Sequence, residues 1–216
     1  MAIQEYKLHH LGIDQPLNIE GKLEEVVPSN SVQPVVFLID EFHEKLDEQG
    51  NGAKNERITQ NIANETELVK KAGVKLIGAE SHAASGLGFG ERCNDSPRLA
   101  DHFKNAGLDN MGIVVEGDAV EVTGIESPEI YKQMTDDTFD MDEADIGGYP
   151  LNYLRSYYYL AALFRNRRLE NRSGNMVLNA GKDHIDHIVQ LIKWGGADQL
   201  AGMPATYMRV ASAYGR

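Results

Sequence analysis

Three apolar runs in this chain each end in carboxylates and imidazoles. Residues 35–39 (VVFLI) are followed by Asp40, Glu41 and His43. Residues 74–78 (VKLIG) are followed by Glu80 and His82, and residues 176–179 (MVLN) by Asp183, His184, Asp186 and His187. Imidazole moves protons near neutral pH, and a carboxylate beside it orients the ring and stabilises its cation. The same donors suit a divalent metal. With Cys93 the single cysteine, such a metal would rest on His, Glu and Asp. Taken singly, each group has a plain reading. His43 reads as a surface residue of an acidic loop, Glu80 and His82 as caps of the next turn, and one of His184 and His187 as solvated. Taken together they point to a site, because folding does not require acids and imidazoles to follow three strands at one edge.

For these residues to meet, the runs must be parallel strands. The continuous β-branched run 35–39, bounded by charge, predicts a strand buried on both faces. Asn55 can cap a helix to about Ala72, with Ile58, Ile62 and Val69 on one side and Gly73 at its left-handed end. With the strand at 74–78 this makes a βαβ unit, which sets its two strands parallel with a right-handed crossover. Ser96-Pro97 opens a helix carrying Leu99, Phe103 and Ala106. Strands follow at 112–115 and 120–125, and Ser127-Pro128-Glu129 opens another helix. The longest helix spans 150 to about 171. Tyr149, Tyr153, Tyr157, Leu160 and Phe164 line one side, and Arg155, Arg165, Arg167, Arg168 and Arg172 make it basic. Asp183 can cap a helix through Ile192 after the strand at 176–179, and a last strand is expected at 207–210. This order predicts an α/β fold, one domain over residues 1–216 with a mainly parallel central sheet flanked by helices. Residues 1–33, with Pro16 and Pro28, are expected to be an irregular segment of short extended pieces. Ligands of such sheets bind outside the carboxyl ends of the strands.

Composition narrows the partners. Of 216 residues, 33 are acidic and 21 are Lys or Arg, a net charge of −12. That balance argues against nucleic acid and against an anionic membrane surface. No apolar run approaches a bilayer span, and residues 1–10 lack an apolar signal core, so a cytoplasmic location is expected. The acidic stretch 135–145 lacks the EF-hand pattern and reads as a solvated loop. Residues 35–41 look like a Walker B strand, but no G-x-x-x-x-G-K-[ST] loop accompanies them. No serine lies in a G-x-S-x-G elbow. The Tyr/Arg-rich helix suits a homo-oligomer interface.

In order along the chain stand an apolar strand with Glu41-x-His43, then Gly73-Val74-Lys75-Leu76-Ile77-Gly78-Ala79-Glu80. Helix residues Arg165-Asn166 come next, and then Val177-Leu178-Asn179-Ala180-Gly181-x-x-His184. Over residues 34 to 195 this set resembles the superfamily that joins erythromycin-esterase-like, ChaN-like haem-binding and TraB/TIKI proteins. The resemblance implies a mixed α/β fold with a cleft at the carboxyl edge of the sheet. Glu41, His43, Glu80 and His184 would occupy it, with Arg165 nearby. It also implies hydrolysis of esters, metal-dependent peptide cleavage, or haem binding through Tyr and His.

The leading expectation is a hydrolase acting on an ester or amide in a small molecule or peptide. His43, held by Glu41 or Glu80, would be the general base on water, with His184 as second base, acid or ligand. Arg165 would neutralise an anionic group or oxyanion, with His82 and Tyr153 also contacting substrate. A metal, if one takes part, would be held by Glu41, His43, Glu80 and His184. The alternative is a haem- or small-ligand-binding protein without catalysis, its ligand drawn from Tyr149, Tyr153 or Tyr157. A tyrosine stripe at helical spacing otherwise fills a core.

Overall fold

A computed structural model describes residues 3–28, 34–41, 56–82, 113–115, 118–126, 145–146, 149–169, 173–195 and 203–211. The elements are β1 (Ile3–Leu8), a short 3-10 turn (His9–Leu11), β2 (Ile13–Glu20), β3 (Lys22–Glu25), β4 (Val35–Glu41) and α1 (Glu56–Lys71). β5 (Val74–His82), β6 (Ile113–Val115), β7 (Asp118–Glu126), β8 (Asp145–Ile146) and β9 (Tyr149–Pro150) follow. The chain ends with α2 (Leu151–Leu169), β10 (Asn175–Gly181), α3 (Lys182–Gly195) and β11 (Thr206–Ala211). The expected helices at Ser96 and Ser127, and residues 135–144 of the acidic stretch, lie outside the described residues.

The main sheet has the order β3-β11-β4-β10-β5-β7-β6. Its five inner strands are parallel, and β3 and β6 close the edges antiparallel. The expected α/β fold with a mainly parallel sheet is therefore what the chain adopts. Strand β10 sits between β4 and β5, so the βαβ unit predicted around α1 steps over one strand.

Alternation along β4 divides the core. Val35, Phe37 and Ile39 pack with Leu68 and Val69 of α1 and with Ala72 just beyond it. Val36 and Leu38 pack with Leu160 and Leu163 of α2 and with Ile185 and Ile188 of α3. The face assignment follows from handedness. The chain moves from β4 to β5 in one direction and from β7 to β10 to β11 in the other. Right-handed crossovers then put α1 on one face and α2 and α3 on the opposite one. Adjacent strands β4 and β10 thus leave their carboxyl ends toward opposite faces, which opens a crevice there. Helix α2 lies close on β5: a Cβ added to Gly78 would stand 2.9 Å from both Leu163 and Ile125.

Residues 3–28 form more regular structure than expected. β1 and β2 form an antiparallel hairpin, and β3 joins the main sheet beside β11. Leu8, Leu11, Ile13, Leu17 and Ile19 are buried against the α1 side. Pro16 lies where the hairpin register shifts, between the pairs Tyr6–Leu17 and Leu8–Ile13. A proline is tolerated there because no ladder N–H is needed.

Of the apolar side expected for α1, Val69 is buried, while the side chains of Ile58 and Ile62 lie outside the described ones; polar residues are buried there too. Gln60, Asn61, Asn64 and Glu65 are buried beside Leu68 and Val69. Each is matched: Gln60 to the Glu20 carbonyl, Asn64 to the Glu20 backbone, Asn61 to the Asp40 carbonyl at 2.7 Å and Glu65 to Asn179 at 2.6 Å. Among the described residues no helix is long and apolar enough to cross a membrane.

Candidate active site at the carboxyl edge

The ends of β4, β10, β5 and β7 lie side by side. Gly181 pairs with Glu41, and His82 with Glu126. Glu80 follows Leu76 and Gly78 on the face covered by α2 and α3, as the two-residue period of a strand requires. Helix α3 starts directly after β10, so His184 and His187 fall in its first two turns, three residues apart and on one side. Helix α2 returns from the carboxyl edge, so its first turns bring Arg155, Ser156 and Tyr159 over the same place.

Glu80 is the hub. Its Oε2 accepts the Gly181 backbone N–H at 2.6 Å. Its Oε1 accepts the Tyr159 hydroxyl and Arg155 Nη2, each at 3.4 Å, and faces His184 Nε2 at 3.6 Å. Arg155 forks onto Glu126, with Nε to Oε1 at 2.8 Å and Nη2 to Oε2 at 2.6 Å. The Ser156 hydroxyl lies 2.9 Å from His184 Nδ1 and 3.1 Å from His187 Nδ1. His184 also meets the Tyr159 ring edge-on, with centroids 4.9 Å apart.

Burial and charge set the protonation states. Burial alone would lower the Arg155 pKa, but the Glu126 hydrogen bonds and charge, with Glu80, raise it. Tyr159 is raised well above an ordinary phenol by burial and by the carboxylates of Glu80 and Glu126, so it stays a donor. Burial lowers His184 below an ordinary histidine, opposed by Glu80. Burial lowers His187 as well, opposed by Asp183 and Asp186. Both rings are therefore neutral at pH 7.

A second charged group lies on the other side of α3. Arg209 of β11 bonds Asp40 at 3.1 Å and Asp186 at 2.6 Å, and Lys182 also holds Asp186. Burial raises the Asp40 carboxyl above its ordinary 3.8, against the pull of Arg209. Its contribution to stability is full below that value and is lost as pH rises through the raised one. For Asp186, burial acts upward, but Lys182 and Arg209 hold the carboxyl below 3.8. Its contribution is present above the ordinary value and lost as pH falls through the depressed one. Urea unfolding between about pH 2 and 7 is expected to show both slopes. Asp40→Asn removes the fall on the high side and Asp186→Asn the rise on the low side. An Asp40→Asn profile parallel to the parent would contradict this assignment.

Of the residues expected from sequence, Glu80 and His184 are brought together. Tyr153 lies against His187 with ring centroids 4.2 Å apart and stacks on Trp194 at 5.6 Å, two rings removed from Glu80 through His187 and His184. Arg165 is not brought to the cluster. It is exposed on α2, ten residues beyond Arg155, which at the helical rise is about 15 Å along the axis. Glu41 and His82 have their backbones at the edge, their side chains being outside the described ones, and His43 lies outside the described residues. Among the described residues no three His, Cys, Asp or Glu side chains gather as metal ligands. Tyr157 is half-buried and packs against the core under α2 and α3.

Sequence reasoning missed Glu126, Ser156 and Tyr159. Glu126 was within reach of the same reasoning, since it directly follows the strand expected at 120–125 and is the last residue of β7. Ser156 and Tyr159 carry no such signal, lying in a helix with apolar residues all round. No family model, curated protein or solved structure matches the chain.

Proposed function

We propose that the protein is a hydrolase of ester or amide bonds in small molecules or peptides, related to the erythromycin-esterase-like, ChaN-like and TraB/TIKI superfamily. The observation that carries this reading is the Glu80 carboxylate facing His184 Nε2 at 3.6 Å in a largely buried polar cluster. A neutral His184 is ready to accept a proton. The imidazolium that forms would be stabilised by the carboxylate beside it, more strongly than in water because both groups are shielded from solvent. Glu80 itself is held in place by Gly181, Tyr159 and Arg155, so little reorganisation accompanies the charge. Arg155 takes the position at the cluster that Arg165 was expected to fill. The haem-binding alternative draws less support from the tyrosines whose side chains are described, because Tyr157 is half-buried against the core and the Tyr153 ring lies against His187 and Trp194.

The test is turnover of simple aryl esters, lactones and short peptides by the purified chain. At least one is expected to be hydrolysed, and His184→Gln is expected to lower that activity by about 10²- to 10⁴-fold while the far-ultraviolet dichroism is unchanged. Undiminished turnover in His184→Gln would sink the reading. Elemental analysis of the same sample establishes whether a metal shares the site.

A further inference from the structure

Both nitrogens of His184 face protein groups, Glu80 and Ser156. Its Nε2 faces the Glu80 carboxylate, and a lone pair aimed at that carboxylate would be repelled, so Nε2 carries the proton. In the neutral ring Nδ1 is then bare, and the donor beside it is the Ser156 hydroxyl at 2.9 Å. A hydroxyl has one proton. With that proton on His184, the contact between Ser156 Oγ and His187 Nδ1 at 3.1 Å requires His187 to donate its Nδ1–H. The Nε2 of His187 is therefore the bare one. His187 is less buried than Ser156, which is fully enclosed.

Resting on the hydrolase reading, we propose that His187 Nε2 is the nitrogen that takes the proton of the attacking water, and that Ser156 is the positioning residue relaying charge to the Glu80–His184 pair. Water gives one proton to His187 Nε2 as its oxygen bonds the scissile carbonyl carbon and the C=O π pair moves onto the carbonyl oxygen; collapse of that oxyanion later breaks the bond to the leaving group. The His187 Nδ1–H passes to Ser156 Oγ, and the Ser156 hydroxyl proton passes to His184 Nδ1. His187 ends neutral with its proton on Nε2. The positive charge ends on His184, 3.6 Å from Glu80, where it is best compensated. Reversing the two hops returns the proton to the leaving group. His187 is thus the catalytic base, while His184 stores the charge.

Nitrogen-15 spectra of the full chain, labelled in histidine and recorded at neutral pH without substrate, read the tautomers directly. The two rings are identified by comparison with His184→Gln and His187→Gln. The expected result is His184 as the Nε2–H form and His187 as the Nδ1–H form. Ser156→Ala is expected to remove both preferences and to lower kcat about 10- to 100-fold with little change in KM. Ser156→Thr, which keeps a hydroxyl, is expected to restore most of both. A wild-type His187 in the Nε2–H form overturns the relay. Wild-type kcat in Ser156→Ala, in a protein whose turnover depends on His184, also overturns it while leaving the hydrolase reading intact. Absence of any turnover together with the expected tautomers overturns the hydrolase reading and, with it, the use of the relay on water.

Discussion

Arg155→Met is expected to lower the free energy of unfolding by about 3–5 kcal/mol, the range seen when one partner of a buried ion pair is removed. The side chains concerned are 13% exposed for Arg155, 5% for Glu126 and 11% for Glu80. Methionine fills much of the arginine stem, so the loss is electrostatic rather than a cavity. It leaves two carboxylates from neighbouring strands without their shared cation, and α2 loses its ion pair to β7 and β5. Removing the orphaned charge as well is the control. Arg155→Met with Glu126→Gln is expected to be more stable than Arg155→Met alone, because a neutral pair in place of a buried ionic one is close to neutral overall. Urea unfolding followed by circular dichroism measures all three proteins. A cost within about 1 kcal/mol for the single variant would mean the pair behaves as a solvated one.

Much of the layout was readable in the sequence, and the exceptions have physical causes. The strands around 35–39, 74–78 and 176–179 are continuous apolar runs because parallel strands are covered on both faces. The order of those strands was not readable, since a right-handed βαβ unit fixes direction and hand but leaves room for β10 between β4 and β5. The N-terminal hairpin was hidden because its register shift breaks the alternation around Pro16. The buried side of α1 was hidden because hydropathy assigns Gln60, Asn61, Asn64 and Glu65 to solvent. In the fold they satisfy the backbone of Glu20 and Asp40 and the side chain of Asn179.

The choice of arginine has a simple geometric cause. A helix that links the carboxyl end of one parallel strand to the amino end of another begins at the ligand-binding edge and runs away from it. Its first turns face the site and its last turns face the opposite edge. That rule selects Arg155 in the second turn of α2 over Arg165 in the fourth. Counting positive charges along the helix cannot make this distinction. The same rule, applied to α3, selects His184 and His187 over Lys193.

Glu80→Gln is expected to preserve the fold and lower kcat/KM by about 10²- to 10⁴-fold, the usual span of a general acid–base contribution. The amide oxygen can still accept the Gly181 N–H, which holds the start of α3 in place. What disappears is the negative charge opposite His184 Nε2, so protonation of that ring in the transition state goes uncompensated. The corresponding loss of transition-state stabilisation is about 3–5 kcal/mol. His184→Gln removes the other half of the same pair and is expected to cost a similar factor. The double variant should then be little worse than either single one, because groups that act as a unit do not contribute additively. Steady-state kinetics on the best ester substrate, with urea unfolding of each protein as a stability control, makes the comparison. Fully additive losses would mean that Glu80 and His184 act separately, with Glu80 serving only to anchor β10 and α3. Wild-type turnover in Glu80→Gln would go further, removing the carboxylate from the chemistry and reducing it to an acceptor for the backbone at the start of the helix.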